Sequence, residues 1–374
     1  MDNWPGYAGQ LVLLALMAWL SWHGISNFIG NARSLGVSMG FGFLQSEAGF
    51  QIAQAMIQFS PTSSYGDAIV VATLNSLLVI ALSGIISTLI ALCVAFGRLS
   101  AHPLIRGAST AYVEVFRNIP MLLQILFWYF SALALLPGVS ESYELGAVLL
   151  NNRGLFLPQA TMTPAALWAL LVALVVFAVG FFTMRRALWA RTRPGILLFC
   201  TIALLALCAA PLALMHTQFG VERPAVEGFN VAGGFTLLPE LIALTLGLSI
   251  YNSAFLAEIF RAGIQSVPGG QAEAAATVGL TGVRAALLIV LPQALRLALP
   301  PAAGQYQTLA KASSLAAAIG YPDIMQIVGG TVLSQTNQAL EAMTLVVLLY
   351  AAINIAIALV MNLANRRLLK AERR

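Results

Sequence analysis

Residues 271–294 read QAEAAATVGLTGVRAALLIVLPQA, and this stretch decides how the rest of the chain is interpreted. It carries Glu273 and Arg284 and follows a Pro-Gly-Gly sequence, so we expect a loop between two membrane spans rather than a span of its own. The alanines predict a short helix with little side-chain bulk. Gly279 predicts the end of that helix, or a bend that lets another backbone approach. The pattern favours a helix that docks into a groove on another protein; the alternative is an ordinary amphipathic loop.

The composition is that of a membrane protein. Of the 374 residues 59% are hydrophobic and only 9% are charged, whereas soluble domains carry about 25% charged residues. This excludes a soluble globular domain and predicts an all-α polytopic protein, because lipid cannot satisfy the polar groups of an open backbone. Eight apolar stretches are long enough to span a bilayer, near residues 8–25, 68–96, 112–136, 164–183, 195–215, 238–260, 299–320 and 342–363.

The basic residues indicate the orientation of these spans. With both termini in the cytoplasm, the inner segments hold fifteen of the 19 Lys and Arg residues and the outer segments hold three, while Lys311 falls within a span. Because cytoplasmic loops are enriched in Lys and Arg, residues 271–294 are predicted to lie in the cytoplasm. The basic excess therefore reflects topology, and no nucleic-acid partner is expected. The three cysteines lie in apolar runs and the histidines are scattered, so no disulfide framework or metal site is expected.

Three features carry a resemblance to a known family. Within residues 271–294, fixed spacings separate Glu273-Ala274-Ala275, Gly279, Ile289 and Leu291-Pro292. This pattern resembles the EAA loop of type I ABC-transporter permeases. Residues 112–124, YVEVFRNIPMLLQ, resemble a segment of the polar-amino-acid branch of that family. The run GFGFLQSEAGF with SPTSSYG resembles the Q/B-type permease subunit of general L-amino-acid importers.

The resemblance implies a five-helix permease core with additions. We expect an N-terminal anchor and an outer amphipathic segment in residues 1–67, and the first part of the core in 68–136. A two-helix block is inserted at 137–236, and the second part of the core, with the coupling loop near 268–292, occupies 237–374.

The resemblance also implies a function: this chain is the permease subunit of an ATP-driven L-amino-acid importer in the bacterial inner membrane. The expected partners are the lipid bilayer, a second homologous permease in a heterodimer, two copies of an ABC ATPase and a periplasmic amino-acid-binding protein. No Walker A sequence is present, so ATP is expected in the partner ATPase. The chain itself is expected to hold no cofactor, metal or catalytic residue and not to be an enzyme.

Two sets of candidate residues follow. The ATPase-coupling set, in which Glu273 contacts the ATPase or caps the docking helix, is Glu273, Ala274, Ala275, Gly279, Leu291 and Pro292. The translocation-path set is Asn252, Glu258, Arg261, Gln305, Tyr306, Lys311, Ser313 and Ser314. If its span starts near Leu299, Lys311 lies about 18 Å along it, near the middle of the bilayer. Buried charges usually face a cavity or the bundle interior.

Several alternatives stay open. Lys311 either faces a substrate carboxylate or pairs with a group of the second permease, and Glu258 with Arg261 forms a structural clamp or part of the path. A rival class is an ion-gradient-driven transporter in which Glu258 and Lys311 relay protons; a further reading is a structural scaffold. Arg117 and Glu114, three residues apart, either pair with each other or serve a functional role. Residues 50–58 favour a short amphipathic helix on the outer surface, with an irregular loop as the alternative.

Overall fold

The computed structural model describes residues 4–34, 40–162, 219–228, 230–280 and 282–372. Its helices are α1 (Trp4–Ser34), α2 (Tyr65–Arg98), α3 (Pro103–Asn118), α4 (Met121–Leu135), α5 (Pro239–Gln265), α6 (Gly269–Thr277), α7 (Gly282–Ala285), α8 (Leu291–Ala312), α9 (Ile324–Gln326), α10 (Leu333–Thr336) and α11 (Ala339–Glu372). Short 3-10 helices cover Phe41–Gln45, Val139–Glu141 and Ser313–Ile319, and π-helical turns cover Ala286–Val290 and Ile327–Val332.

Five helices in the described residues are long and apolar enough to cross a membrane, namely Tyr7–Asn27 within α1, Tyr65–Arg98, Pro239–Gln265, Ala286–Ile319 and Ala339–Arg366. Helices α3 and α4 together make a sixth if they are counted as one bent span. The predicted spans 164–183 and 195–215 lie outside the described residues. The predicted all-α polytopic class with about eight spans agrees with this architecture.

Helix α2 begins where the sequence signals a helix start. The Ser64 hydroxyl accepts a hydrogen bond from the backbone N–H of Asp67 at 3.1 Å, and the Asp67 carboxylate accepts one from the Ser64 N–H at 3.0 Å. This capping box satisfies two backbone donors that a helix start otherwise leaves free. The helix that follows has 34 residues, which corresponds to about 50 Å.

The predicted span 112–136 falls on two helices that are divided near Pro120. Helices α3 and α4 meet at an angle of 101°. The break lies at Ile119, which has φ −87° and ψ 126°, because the ring of Pro120 disfavours helical geometry in the preceding residue. The Gln124 side chain donates hydrogen bonds to the carbonyls of Phe116 and Ile119, at 3.0 and 3.2 Å. It therefore satisfies backbone acceptors that the break leaves without helical partners.

The span predicted at 299–320 begins earlier than expected. Helix α8 starts at Leu291 and is continuous with the π-helical turn Ala286–Val290. Pro292 lies in the first turn of α8, where a missing N–H costs little, so it does not interrupt the helix. The coupling loop is consequently shorter than 268–292, and Lys311 is the next-to-last residue of α8.

The chain forms two compact units, Met1–Tyr129 with Glu240–Arg374, and Phe130–Pro239. The second unit contains strands where loops were expected: β1 (Tyr143–Leu145), β2 (Val148–Asn151), β3 (Gly154–Leu157), β4 (Gln159–Met162), β5 (Phe219–Glu222), β6 (Ala225–Glu227), β7 (Asn230–Ala232) and β8 (Phe235–Leu237). An antiparallel sheet has the order β1-β2-β3-β8, and β4-β5 and β6-β7 form two-stranded pairs. Met162 at the end of β4 pairs with Phe219 at the start of β5, so the two ends of the described chain meet in this strand pair.

The outer amphipathic helix predicted at residues 50–58 is wrong. Residues 46–64 are irregular apart from an isolated bridge between Glu47 and Ser64. Gln54 of the predicted polar side is buried, whereas Met56 and Ile57 of the predicted apolar side are exposed. Packing against α2 therefore decides this segment, and the irregular-loop alternative holds.

Small residues bring four helices together near the C-terminal end of α2. One core cluster joins Ala91 and Ala95 of α2, Val113 of α3, Leu256 and Phe260 of α5, and Ala298 and Ala302 of α8. A Cβ on Gly247 of α5 would lie 2.9–3.1 Å from atoms of Ile125 in α4, so only glycine permits that approach. In a membrane such small side chains allow helices to pack closely.

Candidate functional site

The short helix predicted from the alanines is present and ends as its sequence indicates. Helix α6 covers Gly269–Thr277, and Gly279 follows it with φ +80°. The Gly279 N–H donates to the Ala276 carbonyl at 3.0 Å, and the Leu280 N–H donates to the Ala275 carbonyl at 2.9 Å. This pair of bonds is a Schellman motif, which requires a left-handed residue at the position of the glycine.

The surface of α6 is open. Glu273, Ala274 and Gly279 are exposed, whereas Ala275 is buried. A Cβ built on Gly279 would meet no atom of this chain within 4 Å. The thin helix predicted from the alanines therefore presents a surface that the described part of this chain leaves uncovered.

The capping role considered for Glu273 is wrong. Pro268 occupies the N-cap position without a side-chain hydrogen bond, and no acidic residue lies in the first turn. The helix starts at Gly269, so Glu273 lies beyond the first turn, where the effect of the helix dipole fades. A contact with a partner is the interpretation that remains for this exposed carboxylate.

Leu291 and Pro292 lie at the start of α8 rather than on α6. Leu291 is half-buried and Pro292 is exposed. One side-chain bond links the two helices: the Gln293 amide donates to the Gln271 Oε1 at 3.2 Å. The coupling residues therefore occupy one segment but divide between the docking helix and the base of the following span.

Three of the predicted path residues lie inside the helix packing. Asn252 is 1% exposed; it donates to the Ser87 hydroxyl at 2.8 Å and accepts from the Gln305 amide at 3.0 Å. Tyr306 shares a 2.6 Å hydrogen bond with the hydroxyl of Thr88. These bonds join α2, α5 and α8 in one polar layer, which we call the buried polar layer.

Glu258 and Arg261 pair as the clamp interpretation predicts. Glu258 also accepts a hydrogen bond from Arg98, the last residue of α2. No local sequence pattern singles out Arg98, because Arg98 and Glu258 are 160 positions apart along the chain. The clamp therefore joins two helices rather than two turns of one helix.

Lys311, near the end of α8, and Ser314, in the 3-10 helix that follows, lie away from the buried polar layer. Lys311 is exposed and Ser314 is half-buried, and with Gln307 they line an open groove of about 590 Å³ between α8 and α11. The α11 side contributes Tyr350, Asn354 and aliphatic residues. Ser313 is buried and donates to the Ala310 carbonyl at 2.8 Å.

The expected depth of Lys311 was based on a span that starts near Leu299, whereas helix α8 starts at Leu291. Its neighbour Leu309 nevertheless packs beside Gly84, close to the middle of α2. The eight path residues thus do not line one surface: some fill the buried polar layer, two form the clamp, and two face the groove.

Arg117 does not pair with Glu114. Its guanidinium lies over the ring of Phe255, 5.0 Å from the ring centroid. Such a cation–π contact is favourable where water is scarce. The contact fixes the end of α3 against α5, beside the break before α4.

A buried polar network near the start of α9 was missed by the sequence analysis. Asp323 caps α9 by accepting from the Gln326 N–H at 2.8 Å, and its other oxygen accepts from the Tyr350 hydroxyl at 2.8 Å. Asn75 of α2 donates to the Pro322 carbonyl at 3.0 Å. Burial raises the pKa of the Asp323 carboxyl to about 6. The D-I-M-Q sequence offered an N-cap signal, but nothing in it indicated burial.

The geometry supplies no set of metal ligands: among the described residues, no three His, Cys, Asp or Glu side chains are close enough to hold an ion. What the arrangement offers is an uncovered short helix at one end of the bundle and an open groove along α8.

Comparisons with known proteins agree with this arrangement. Residues 188–370 match the family described as the binding-protein-dependent transport system inner membrane component. The chain is 41% identical over 370 residues to an Escherichia coli K12 protein described as an amino-acid ABC transporter permease, YhdX, covering 97% of this chain and 93% of the relative. It is 40% identical over 374 residues to the general L-amino acid transport system permease protein AapQ of Rhizobium johnstonii, covering 97% and 92%.

Two further similarities are weaker. The glutamate/glutamine/aspartate/asparagine transport system permease protein BztB of Rhodobacter capsulatus is 35% identical over 403 residues, with 97% of this chain and 93% of the relative covered. Among solved structures, a chain from a crystal structure of an amino acid ABC transporter with histidines has a TM-score of 0.48 and 20% identity, over 81% of this chain and 95% of that chain.

The full-length relatives decide between the classes that the sequence left open. A match over nearly the whole length of two ABC-transporter permeases excludes the ion-gradient-driven transporter and the structural scaffold. The chain belongs to the family of ABC-transporter permeases, the inner-membrane components of binding-protein-dependent transport systems.

Proposed function

We propose that this chain forms one half of the translocation path of an ATP-driven importer for L-amino acids. The observation that carries the coupling part of this proposal is α6, a short exposed helix with the EAA spacing that ends at Gly279. The substrate class rests on relatives described as transporting general L-amino acids, or glutamate, glutamine, aspartate and asparagine.

The partners follow from this function. A second, homologous permease packs beside this chain as a heterodimer, two copies of an ABC ATPase dock on the cytoplasmic side, and a periplasmic binding protein delivers the amino acid. ATP binds to the ATPase and not to this chain, which is therefore not itself an enzyme.

The proposed topology puts both termini and α6 in the cytoplasm of a bacterium with this subunit in its inner membrane. The distribution of Lys and Arg supports this orientation. In the same orientation α5 runs from the outer side at Pro239 to the inner side at Gln265, and α6 follows directly.

The mechanism is a coupling of two movements. Closure of the ATPase dimer on ATP carries α6 with it, and the attached spans turn so that the path opens outward. Glu273 contacts the ATPase, and Gly279 allows close approach of its backbone.

The open groove along α8 is the part of this chain proposed to line the path. Lys311 is exposed there among aliphatic side chains of α11, and a cation in such a position favours a carboxylate as its partner. Every L-amino acid carries one, so Lys311 suits a transporter of several amino acids. Gln307 and Ser314 add uncharged hydrogen-bonding groups on the same side.

The test is purification of this chain in mild detergent from its own membranes, followed by identification of its partners and reconstitution in proteoliposomes. We expect an ABC ATPase and a second permease in fixed ratio, and uptake of labelled L-glutamate or L-glutamine only when ATP and the binding protein are present. Uptake by this chain alone, driven by an ion gradient, would contradict the proposal.

A further inference from the structure

The inner ends of α2 and α5 are joined by charged side chains on both helices. Glu258 of α5 accepts hydrogen bonds from Arg98 of α2 and from Arg261, one turn further along α5. The Arg98 side chain is only 16% exposed and that of Glu258 30%. Because the pair is shielded from water on most sides, it is screened less than a surface ion pair. We call Arg98, Glu258 and Arg261 the inner triad.

The inner triad is connected to the docking helix by a short, hydrogen-bonded stretch. Arg261 also donates to the Gln265 side chain at the end of α5. Beyond it, the Ser266 N–H donates to the Ala262 carbonyl at 3.0 Å, and the Gln271 N–H donates to the Pro268 carbonyl at 3.0 Å. Only three residues separate α5 from α6. A displacement of α6 is therefore passed to the last turns of α5 with little slack.

Helix α8 is attached to this end of α5 by close packing. A Cβ on Gly263 would lie 2.8 Å from the Ala294 carbonyl oxygen and 3.0 Å from the Cβ of Ala298. The Gln293–Gln271 bond adds a second link between α8 and α6. Helices α5 and α8 are thus held to the docking helix by backbone proximity as well as by side chains.

Helix α2 is linked to α5 and α8 by the buried polar layer at Ser87 and Thr88, about three turns before Arg98. Beyond that layer, the last turns of α2 carry Ala91 and Ala95, which belong to the same core cluster as Leu256 and Ala257 of α5. Alanine side chains offer few interlocking surfaces against sliding. The ion pair between Arg98 and Glu258 is the contact that fixes the end of α2 to α5 at one position along its length.

We propose that Arg98 and Glu258 are positioning residues that make α2 follow the docking helix, so that ATP hydrolysis is converted into transport. This inference rests on the proposed function and extends it, because it assigns a role in coupling to residues that touch neither substrate nor ATPase. Loss of the pair lets α6 and α5 move while α2 stays behind, and hydrolysis then continues without full transport.

The test uses the complete importer in proteoliposomes, with ATP hydrolysis and uptake of labelled L-glutamate and L-glutamine measured on the same sample. In Arg98→Met, Glu258 keeps Arg261 as a partner, so no charge is left alone. We expect uptake per ATP hydrolysed to fall roughly tenfold, within the range by which single residues alter coupling between sites. Hydrolysis is expected to remain close to the wild-type rate.

Three further variants separate this role from a general effect on structure. Arg98→Lys keeps the charge and is expected to restore most of the coupling ratio. Glu258→Gln keeps the shape and removes the charge, and is expected to lower the ratio as Arg98→Met does. Arg106→Met removes an exposed arginine of α3 on the same side of the bundle and is expected to leave the ratio unchanged.

The outcomes distinguish this inference from the proposed function. If the wild-type complex shows no ATP-dependent uptake, the proposed function itself fails. If the wild type is coupled and both Arg98→Met and Glu258→Gln keep its ratio of uptake to hydrolysis, the positioning role is overturned and the inner triad only stabilises the bundle. An equal fall of uptake and hydrolysis in both variants would overturn it as well.

Discussion

The docking helix α6 and the buried polar layer around Asn252 are opposite kinds of polar site. On α6 the distinctive residues are exposed, and the described part of the chain leaves Gly279 without a neighbour. In the buried polar layer the amide of Asn252 is bonded on both sides and almost without exposure. The difference shows that a polar side chain with all its hydrogen bonds made inside the bundle serves this chain's own packing. An exposed polar side chain is available to a partner or to the substrate.

The largest effect is expected on the docking helix. Gly279→Arg places a long charged side chain on the proposed contact surface, at a left-handed φ that disfavours any residue with a Cβ. We expect uptake to fall to background while the chain is inserted at normal abundance, measured by transport assay and membrane immunoblot.

Gly146→Arg provides the matched control. Gly146 has φ +66° in the turn between β1 and β2, again with open space around it. It should tolerate the same backbone strain and charge with uptake intact. Undiminished uptake in Gly279→Arg would contradict the proposed docking role of α6.

The next effect is expected in the open groove. A hydrogen bond to a charged group contributes about 1.5–3 kcal/mol, so Lys311→Met is expected to raise the concentration for half-maximal uptake about tenfold or more. Thermal stability should not fall, because the exposed ammonium makes no ion pair with the described residues. Lys311→Arg, which keeps the charge, should retain most of the affinity. A fall in melting temperature without a change in uptake would show that Lys311 serves packing, as the buried polar layer does, and does not bind substrate.

A smaller effect is expected in the buried polar layer. It concerns thermal stability and not substrate affinity. Asn252→Leu leaves the Gln305 amide without its acceptor, at a cost of about 1–2 kcal/mol. The melting temperature of the purified complex should drop accordingly. Thr308→Val, on the exposed side of α8, removes a hydroxyl without opening the layer and should melt like the wild type. A wild-type melting temperature for Asn252→Leu combined with altered substrate selectivity would show that Asn252 belongs to the path after all.

The smallest effect concerns the pH dependence of stability at Asp323. Its pKa of about 6 lies above the usual 3.8, so the folded state favours the protonated form. This contribution to stability is complete below about pH 4 and is lost as the pH rises through 6, which amounts to about 1 kcal/mol between pH 5 and pH 7. Asp323→Asn keeps an N-cap and should remove this part of the pH dependence in thermal unfolding. An unchanged pH profile in that variant would show that Asp323 does not titrate in this range.

The features that sequence analysis predicted well depend on local rules. The alanines after Pro-Gly-Gly and Gly279 predicted the short helix α6 and its end, because a Schellman motif depends on a few adjacent residues. The count of spans followed from hydrophobicity alone.

The features that were missed or predicted wrongly depend on contacts between residues that are far apart in the chain. Arg98 meets Glu258 across 160 positions, Asn75 meets Pro322 across 247, and no local pattern announces either pair. Gln54 reads as the polar side of an amphipathic helix, yet the structure buries it beside α2. Whether Lys311 or Asn252 faces open space was likewise beyond sequence, since both are polar residues within predicted spans.

The most direct test of the central claim is site-specific photo-cross-linking in the intact importer. A photoreactive residue replaces Glu273 on α6 and, as control, Tyr143, an exposed residue of the strand β1. We expect position 273 to cross-link to the ATPase and position 143 not to. A complex in which position 273 reaches no ATPase, while the complex hydrolyses ATP and transports normally, would contradict it.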